Sequence, residues 1–393
     1  MKKALIIMPT PPFPPLGADE QNRLGIIRLL KELGYGEIVI IAKAREDQMS
    51  LAEAGVSLIP YQVKSKKNLS YWIARAMNPF RWDGATDEYY DPRFRGAIDM
   101  AIAERKPDLL LVEYNFLWPA ALSARRSGIP VIMRSHNFEA LHFLSEDGLS
   151  LINLFKFLAK LLSEWRSCAV SDVVLAVTVK EAHEYRWLCP AQKIFALHSG
   201  ALPDLVAKRH IPHDRIPVEL LFMGSRYSIP HNLKAARLLI EGVMPAVEVA
   251  YPGIFHLSIT GGKLPEKLAR SLPGNTAYLG YVDDLEAVFE KTDVVIAPRV
   301  AGHGMQLKVF EPLCRGIPVV TSALVLGGYP FADGEEVFIA DTIEEFVSAI
   351  GKLGSFETRR AMGNAAHVGA EALFGKAPTL AIMREALKKA HAL

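Results

Sequence analysis

Short unbroken apolar runs alternate with longer amphipathic stretches along the whole chain. In the first half the runs are Ala4–Met8, Ile38–Ala42, Leu109–Glu113, Val131–Arg134 and Val173–Val177. Each is short and rich in Ile, Leu or Val, the pattern of a strand buried on both faces of a parallel sheet. Stretches with helical periodicity, including Asp19–Leu33 and Leu149–Arg166, lie between them. Such alternation predicts right-handed crossovers and a doubly wound α/β sheet. The rhythm pauses at Ala201–Pro217, where three prolines and several charges without periodicity read as a linker. It then restarts, with strands expected at Glu219–Met223, Phe255–Thr260, Ala277–Leu279, Val294–Ala297 and Val319–Thr321. Helices are expected at about Asn232–Glu241, Leu285–Lys291 and Gln306–Cys314, and the tail Thr358–Leu393 reads as helical throughout. The chain thus divides into a domain at 1–205, a linker at 206–217, a second domain at 218–375, and a C-terminal helix at 376–393 expected to pack back on the first domain.

Composition narrows the classes. Of 393 residues, 50% are hydrophobic and 22% charged, enough apolar material for two cores, which excludes a disordered or fibrous chain. Lysine plus arginine (45) nearly balances aspartate plus glutamate (43), for a formal charge of +2, so nothing global calls for a nucleic-acid partner. Any basic patch must be local. One such region, Tyr61–Arg95, sets Lys64, Lys66, Lys67, Arg75 and Arg81 among Tyr71, Trp72, Phe80, Trp82 and further aromatics. It suits an acceptor site or a membrane-surface contact, or else a helical excursion whose aromatics pack on the first domain. Leu149–Arg166 has a similar basic amphipathic character and suits domain packing or a membrane touch. Cys168, Cys189 and Cys314 are far apart and read as reduced thiols. Ala4–Met8 is too short for a signal-peptide core, and no run approaches the roughly 18 apolar residues of a membrane span. A cytoplasmic protein is expected, with peripheral contact at the inner membrane face left open.

The densest candidate chemistry lies in Ala297–Val320, APRVAGHGMQLKVFEPLCRGIPVV. A strand ends, a loop with Gly302 and Gly304 follows, and a helix begins. Glycine lets the backbone approach a ligand closely, and the helix start presents unpaired N–H groups and a positive dipole end. Lys308, just inside the helix, can add a point charge to a phosphate. Glu311, three residues on and on the same face, would be repelled by phosphate but can accept two hydrogen bonds from a ribose diol. The order suits a nucleoside diphosphate laid along the helix start. A surface Lys–Glu pair, worth a few tenths of a kcal/mol, is the other reading.

This stretch resembles the C-terminal half of GT-B glycosyltransferases, in particular retaining glycosyltransferase family 4, whose helix carries Glu-x7-Glu followed by a Gly-x-Pro-Val-Val strand. Glu311 matches the second glutamate and Gly316–Val320 the strand. Leu221–Arg226 resembles the first strand and glycine turn of the family's donor domain, and Ser258–Gly262 the next strand end. Tyr278–Val282 and Asp293–Pro298 resemble the following two. Pro230-His231-Asn232 and Val243-Met244-Pro245 look most like a subgroup acting in sugar and polysaccharide biosynthesis. The family's first glutamate falls on His303. A subgroup with the pattern Gly-x-x-x-Lys-Val-x-Glu also lacks it, and Gly304–Glu311 fits that pattern. The resemblance implies two doubly wound Rossmann-like domains facing each other across a cleft. It also implies metal-independent transfer of a hexosyl group, with retention, from a nucleotide-diphosphate sugar to an acceptor hydroxyl.

Carried over residue by residue, the resemblance implies a diphosphate clamp of Lys308, Arg226 and the helix start at Met305 and Gln306. Donor contacts would come from Gly17, Gly224, Gly261, Gly262, His303, Gly304 and Glu311. His136 would stand beside the transferred sugar, with Asn137 and Glu139 on the acceptor side. A loop after a strand is the favoured place for such residues. Arg226 could equally be a solvated loop arginine, and Gly17 a plain turn glycine. Asp283-Asp284 before Leu285 reads as a helix N-cap rather than a metal site. With no Asp-x-Asp triplet and no clustered His/Cys set, neither a metal nor a tightly bound cofactor is expected, the nucleotide sugar serving as co-substrate. A carbohydrate, lipid-linked or small-molecule acceptor is expected, and no nucleic acid. Two other readings stay open: a UDP-sugar 2-epimerase on the same fold, which would need acid/base groups, and a non-catalytic sugar-nucleotide-binding partner subunit, kept open by His303.

Overall fold

The computed structural model describes residues 2–15, 17–43, 55–61, 69–298 and 304–393. The chain forms two compact units. Unit 1 comprises Met1–Ala201, His303–Met305 and Ala377–Leu393; unit 2 comprises Leu202–Gly302 and Gln306–Lys376.

Unit 1 is built on seven parallel strands: β1 (Lys2–Ile7), β2 (Tyr35–Ala42), β3 (Val56–Pro60), β4 (Leu109–Glu113), β5 (Val131–Arg134), β6 (Val173–Ala176) and β7 (Ile194–Ala196). Their order is β3-β2-β1-β4-β5-β6-β7. The order reverses between β1 and β4, and at such a switch point the loops leaving the strands diverge and open a crevice. The central strands are buried on both faces; every residue of β4, β5 and β6 is buried. One face packs on Ile26, Ile27 and Leu30 of the helix Ala18–Glu32, together with Met383 and Leu387 of the helix Lys376–Lys389. The last helix is tied down further by Tyr35, whose hydroxyl donates to the Ala392 carbonyl at 2.6 Å, and by a 2.8 Å contact between His198 Nε2 and Thr379 Oγ1. The other face packs on Phe94, Ile98 and Trp118.

Unit 2 has six parallel strands: β8 (Val218–Arg226), β9 (Phe255–Gly262), β10 (Thr276–Gly280), β11 (Val294–Ala297), β12 (Val319–Thr321) and β13 (Phe338–Ile339). Their order is β10-β9-β8-β11-β12-β13, with the switch between β8 and β11. Both sheets are the doubly wound α/β class that the alternation predicts.

Several local expectations need correction. Three edge strands were not expected: in β3 the exposed Ser57 interrupts the apolar run, and β7 and β13 are only 3 and 2 residues long. Ala201–Pro217 is not aperiodic: it opens on the helix Leu202–Val206, whose Leu202, Leu205 and Val206 are buried at helical spacing. The tail is two helices, Phe356–Phe374 and Lys376–Lys389, separated at Gly375. The helix expected at Asn232–Glu241 is Pro230–Arg237 followed by a π-turn at Leu238–Val243. In Tyr61–Arg95 most aromatics pack inward: Tyr61, Tyr89 and Phe94 are buried, and Phe80 stacks on Trp165 with ring centroids 6.3 Å apart. Lys64, Lys66 and Lys67 lie outside the described residues. Asp284 is an N-cap, accepting from the Glu286 and Ala287 amides.

Candidate functional site

In unit 1 the chemistry gathers where β4 and β5 end. Glu113 and Arg134 close these two strands and stand opposite each other in register. Both are buried, with Arg134 Nη1 3.0 Å from Glu113 Oε2. Arg134 Nη2 also donates to Asn22 Oδ1 at 2.5 Å, and the Gly200 amide donates to the same oxygen at 2.8 Å. The helix Ala18–Glu32 can come this close because Gly25 meets the Gly200 carbonyl; a Cβ on Gly25 would lie 1.9 Å from that oxygen.

His136 completes the group. Its Nε2 lies 2.5 Å from Glu113 Oε2. An ionised carboxylate can only accept, so Nε2 carries the proton. The imidazole stacks on Tyr114 with centroids 4.0 Å apart and planes 8° from parallel. Tyr114 has φ +84°, a conformation that costs on the order of 1–3 kcal/mol and persists only where surroundings enforce it. Here the Arg23 guanidinium lies 5.8 Å from its ring and its hydroxyl donates to Asp19 Oδ2 at 3.3 Å. Burial alone would raise the Glu113 carboxyl, but the Arg134 guanidinium and His136 outweigh it and hold it at about 2. Burial pushes the His136 imidazole below its ordinary value, against the pull of Glu113. The pair is therefore a neutral imidazole donating to a carboxylate.

A second carboxylate, Glu181, ties two loops together. It sits in the first turn of the helix Val179–Tyr185. Its Oε1 accepts from the Gly304 amide at 2.9 Å and the Phe138 amide at 3.4 Å. Its Oε2 is buried and has no hydrogen-bond partner among the described residues. Burial pushes its carboxyl up to about 8. Gly304 has φ +83°, and a Cβ there would lie 2.1 Å from Asn137 Oδ1 and 3.1 Å from the His136 carbonyl. Only glycine fits, so the structure brings Gly304, His136 and Asn137 together. Glu139 is half-buried beside them. Its amide donates to Glu164 Oε1 at 2.8 Å and its carboxylate lies 3.9 Å from Lys160. Met305 receives the Ser199 amide on its sulfur at 3.4 Å. Gly17 stands at the N-terminus of Ala18–Glu32 with ordinary extended backbone, and the turn beyond it carries Asp19 and Glu20, which disfavour an anion there. His303 lies outside the described residues.

In unit 2 the candidates surround the end of β8. Lys308, in the first turn of the helix Leu307–Arg315, places its Nζ 3.4 Å from Asn232 Oδ1 and 5.9 Å from the centre of the Phe222 ring. Asn232 Nδ2 in turn donates to Ser225 Oγ at 3.0 Å and the Arg226 carbonyl at 3.2 Å. Arg226 itself is exposed, and Gln306 is the N-cap of the Lys308 helix with no side-chain cap bond. Glu311 Oε1 accepts from Arg315 Nε at 3.1 Å and Nη2 at 2.6 Å. Arg315 also holds Glu286. Burial raises the Glu311 carboxyl although Arg315 opposes it.

Two of the expected donor glycines have a packing role. Gly261 has φ +117°, and a Cβ on it would lie 2.3 Å from the Gly224 carbonyl. A Cβ on Gly224 would meet the Tyr227 hydroxyl at 2.3 Å, the same hydroxyl that donates to the Thr260 carbonyl. At Gly262 the nearest atom to a Cβ is 3.9 Å away, so no packing demand explains that glycine.

Sequence reading missed Glu113, Arg134, Asn22 and Glu181. A usable signal existed for the first two: each is a charge ending an otherwise apolar, doubly buried strand, where an unpaired ion would be prohibitive.

The likeness to known proteins runs the length of the chain. Residues 21–200 match the family model described as glycosyl transferase 4-like domain, and residues 217–355 match that described as glycosyl transferases group 1. No curated protein matches. Among solved structures, a sucrose-phosphate synthase from Thermosynechococcus elongatus superposes with a TM-score of 0.73 at 14% identity, covering 100% of both chains. A glycosyltransferase from Rickettsia africae ESF-5 gives 0.70 at 14% identity over 99% of this chain and 98% of that one. Anabaena HepE in complex with UDP and glucose gives 0.64 at 14% identity over 99% and 100%. Identities this low speak to the fold. The two family models speak to kinship, for they take in most of both sheets, and the chain belongs to the GT-B glycosyltransferases.

Proposed function

We propose that the chain moves a hexosyl group from a nucleotide-diphosphate sugar to an acceptor hydroxyl, with retention and without a metal ion. The observation that carries this is the placement of Lys308 in the first turn of its helix, anchored to Asn232 of the helix Pro230–Arg237, whose side chain also holds Ser225 and Arg226 at the end of β8. A cation, helix-start amides and a strand end in one place suit a diphosphate. In this reading Lys308, Arg226, Met305 and Gln306 stabilise the departing diphosphate, an electrostatic contribution that is often the largest in such catalysis. Glu311 takes the ribose, and Gly17, Gly262, His303 and Gly304 line the donor. His136, Asn137 and Glu139 attend the transferred sugar and the acceptor. The acceptor hydroxyl attacks from the leaving-group face, so no protein nucleophile is needed. HepE has been solved with UDP-glucose, which makes a UDP-sugar the first donor to test.

A thermal-shift screen of nucleotides and nucleotide sugars tests the binding, since a ligand that binds only the folded state raises its apparent stability. Slow hydrolysis of the stabilising nucleotide sugar, undiminished by chelator, is expected without acceptor. If no nucleotide stabilises the protein, the proposal fails; stabilisation without any hydrolysis or transfer makes it an inert binder.

A further inference from the structure

The sequence keeps the three cysteines apart, but the fold of unit 1 brings two of them together. Cys168 lies in the last turn of the helix Leu151–Val170, and Cys189 in the turn that follows the helix Val179–Tyr185. Both belong to one apolar cluster with Met133, Val174 and Tyr185. Their thiols are hydrogen-bonded to each other. Independent contacts hold the two elements in this relation. Lys193 Nζ donates to the carbonyl of Ser171, just past the end of the Cys168 helix, at 3.2 Å. The Cys189 amide donates to the Tyr185 carbonyl at 3.1 Å, and the Tyr185 hydroxyl lies 2.7 Å from Glu164 Oε2, one turn before Cys168.

The two sulfurs are not equivalent. Cys168 is 1% exposed and Cys189 is 9% exposed. Cys189 stands between half-buried Leu188 and exposed Pro190, so it marks the outer edge of the cluster. Its bond with Cys168, helped by the Lys193 ammonium, draws the Cys189 thiol below its ordinary value against burial. The same bond and burial push the Cys168 thiol well above its own. The Cys168 S–H therefore donates and the Cys189 sulfur accepts. A rim sulfur with thiolate character beside a second that keeps its proton suits a division of labour: one reacts with an oxidant, the other resolves the product. Cys314 is the contrast, fully buried in unit 2 with its thiol raised by burial.

We propose that Cys168 and Cys189 are a modification site, oxidised by a peroxide to a reversible disulfide within unit 1. The Cys189 sulfur attacks the O–O bond of hydrogen peroxide, releasing hydroxide and leaving a sulfenic acid. The Cys168 sulfur then attacks the Cys189 sulfur. The S–S bond forms, and the sulfenic hydroxyl leaves as water with the Cys168 proton. The thiols give up two electrons and the peroxide becomes two waters. The movement falls on residues 186–190, which are neither helix nor strand. The bond fastens the Cys168 helix to the turn behind Tyr185, whose hydroxyl also lies 2.9 Å from Ser135 Oγ, the residue before His136. The inference does not rest on the transfer reaction.

The test uses the full chain, reduced, freed of reductant and exposed to hydrogen peroxide, then read by intact mass and by mapping of alkylated peptides. The product should lose the mass of two hydrogen atoms and keep one titratable thiol of the three. The peptide containing Cys168 should be joined to that containing Cys189, and dithiothreitol should restore the starting mass. Cys168→Ala should stop at the sulfenic acid, trapped on Cys189 by dimedone. Cys189→Ala should leave Cys168 reduced, and Cys314→Ala should behave as wild type. A wild-type protein that keeps all three thiols under peroxide overturns the proposal. So does a disulfide that includes Cys314 or joins two chains, or a wild type that accumulates dimedone-reactive Cys189 without the cross-link. The wild-type map decides the matter even where an alanine variant fails to fold.

Discussion

His136 donates its Nε2 proton to Glu113 across 2.5 Å, at the point where two neighbouring strands of the unit 1 sheet end. The same carboxylate holds Arg134 at 3.0 Å, so one buried acid fixes the tautomer of a histidine and neutralises a guanidinium. This leaves Nδ1 of His136 as the ring's acceptor, the form in which an imidazole can receive a proton or a hydroxyl hydrogen bond.

Acid should undo this arrangement. The Glu113 carboxyl is depressed to about 2 in the fold against about 4.3 in an unfolded chain. The unfolded state therefore binds the extra proton first. The stabilisation is complete above the unfolded value and is lost as pH falls from there through about 2. Glu113→Gln should flatten that acid limb in urea titrations. At neutral pH it should also destabilise the protein by roughly 3–5 kcal/mol, because Arg134 is left buried without its counter-charge. An unchanged acid limb would show that Glu113 is not the carboxylate responsible.

Glu181 should behave in the opposite sense. Burial raises it to about 8, so the folded state holds a proton that the unfolded chain has released. Between about 4.3 and 8 stability must fall as pH rises. Glu181→Gln keeps an oxygen for the Gly304 and Phe138 amides and removes the titration. The variant should match wild type near pH 4 and exceed it in melting temperature at pH 8. A wild-type pH profile in the variant would refute the assignment.

These two carboxylates show what the sequence could and could not disclose. The strands carrying Glu113 and Arg134 are legible because burial on both faces forces an unbroken apolar run. Their pairing is not, because it depends on β4 lying beside β5 in a particular register. Glu181 is disguised: Thr178-Val-Lys-Glu181 has the form of a capping box. Thr178 does cap, yet the glutamate side chain turns to amides of two distant loops. The edge strand β3 was invisible because the exposed Ser57 breaks its run, and β7 and β13 because 3 and 2 residues are too few to stand out as strands. The lysine and glutamate of the helix Leu307–Arg315 were legible as residue types, while their anchors, Asn232 and Arg315, followed only from the fold.

The glycines of unit 2 separate packing from ligand approach. Gly261→Ala would force a Cβ to 2.3 Å from the Gly224 carbonyl at a φ of +117°. It should cost on the order of 1–3 kcal/mol from backbone strain alone, read as a lowered melting temperature. Gly262→Ala meets nothing closer than 3.9 Å and should leave stability within about 0.5 kcal/mol. A selective loss of nucleotide-sugar affinity in Gly262→Ala would then mark close backbone approach of the donor. Wild-type stability in Gly261→Ala would contradict the close contact between β8 and β9.

Lys308 and Glu311 lie on one helix yet should fail differently. Lys308 is anchored to Asn232, and in the proposed reaction it meets the charge that builds on the diphosphate as the glycosidic bond breaks. That charge is greatest in the transition state, so Lys308→Ala should lower kcat more than it weakens donor binding. Losing one such donor typically costs about 10²–10³-fold in rate. Glu311 is bound to Arg315 through Oε1, and a ribose held alike before and during the reaction contributes uniform binding. Glu311→Ala should therefore raise KM with little change in kcat. It also frees Arg315, which still has Glu286, so the fold should survive and the kinetic comparison stays interpretable. Both effects should be the same with and without chelator. A Lys308→Ala enzyme with wild-type kcat, or a wild type that stops in chelator, would remove Lys308 from the role of diphosphate clamp.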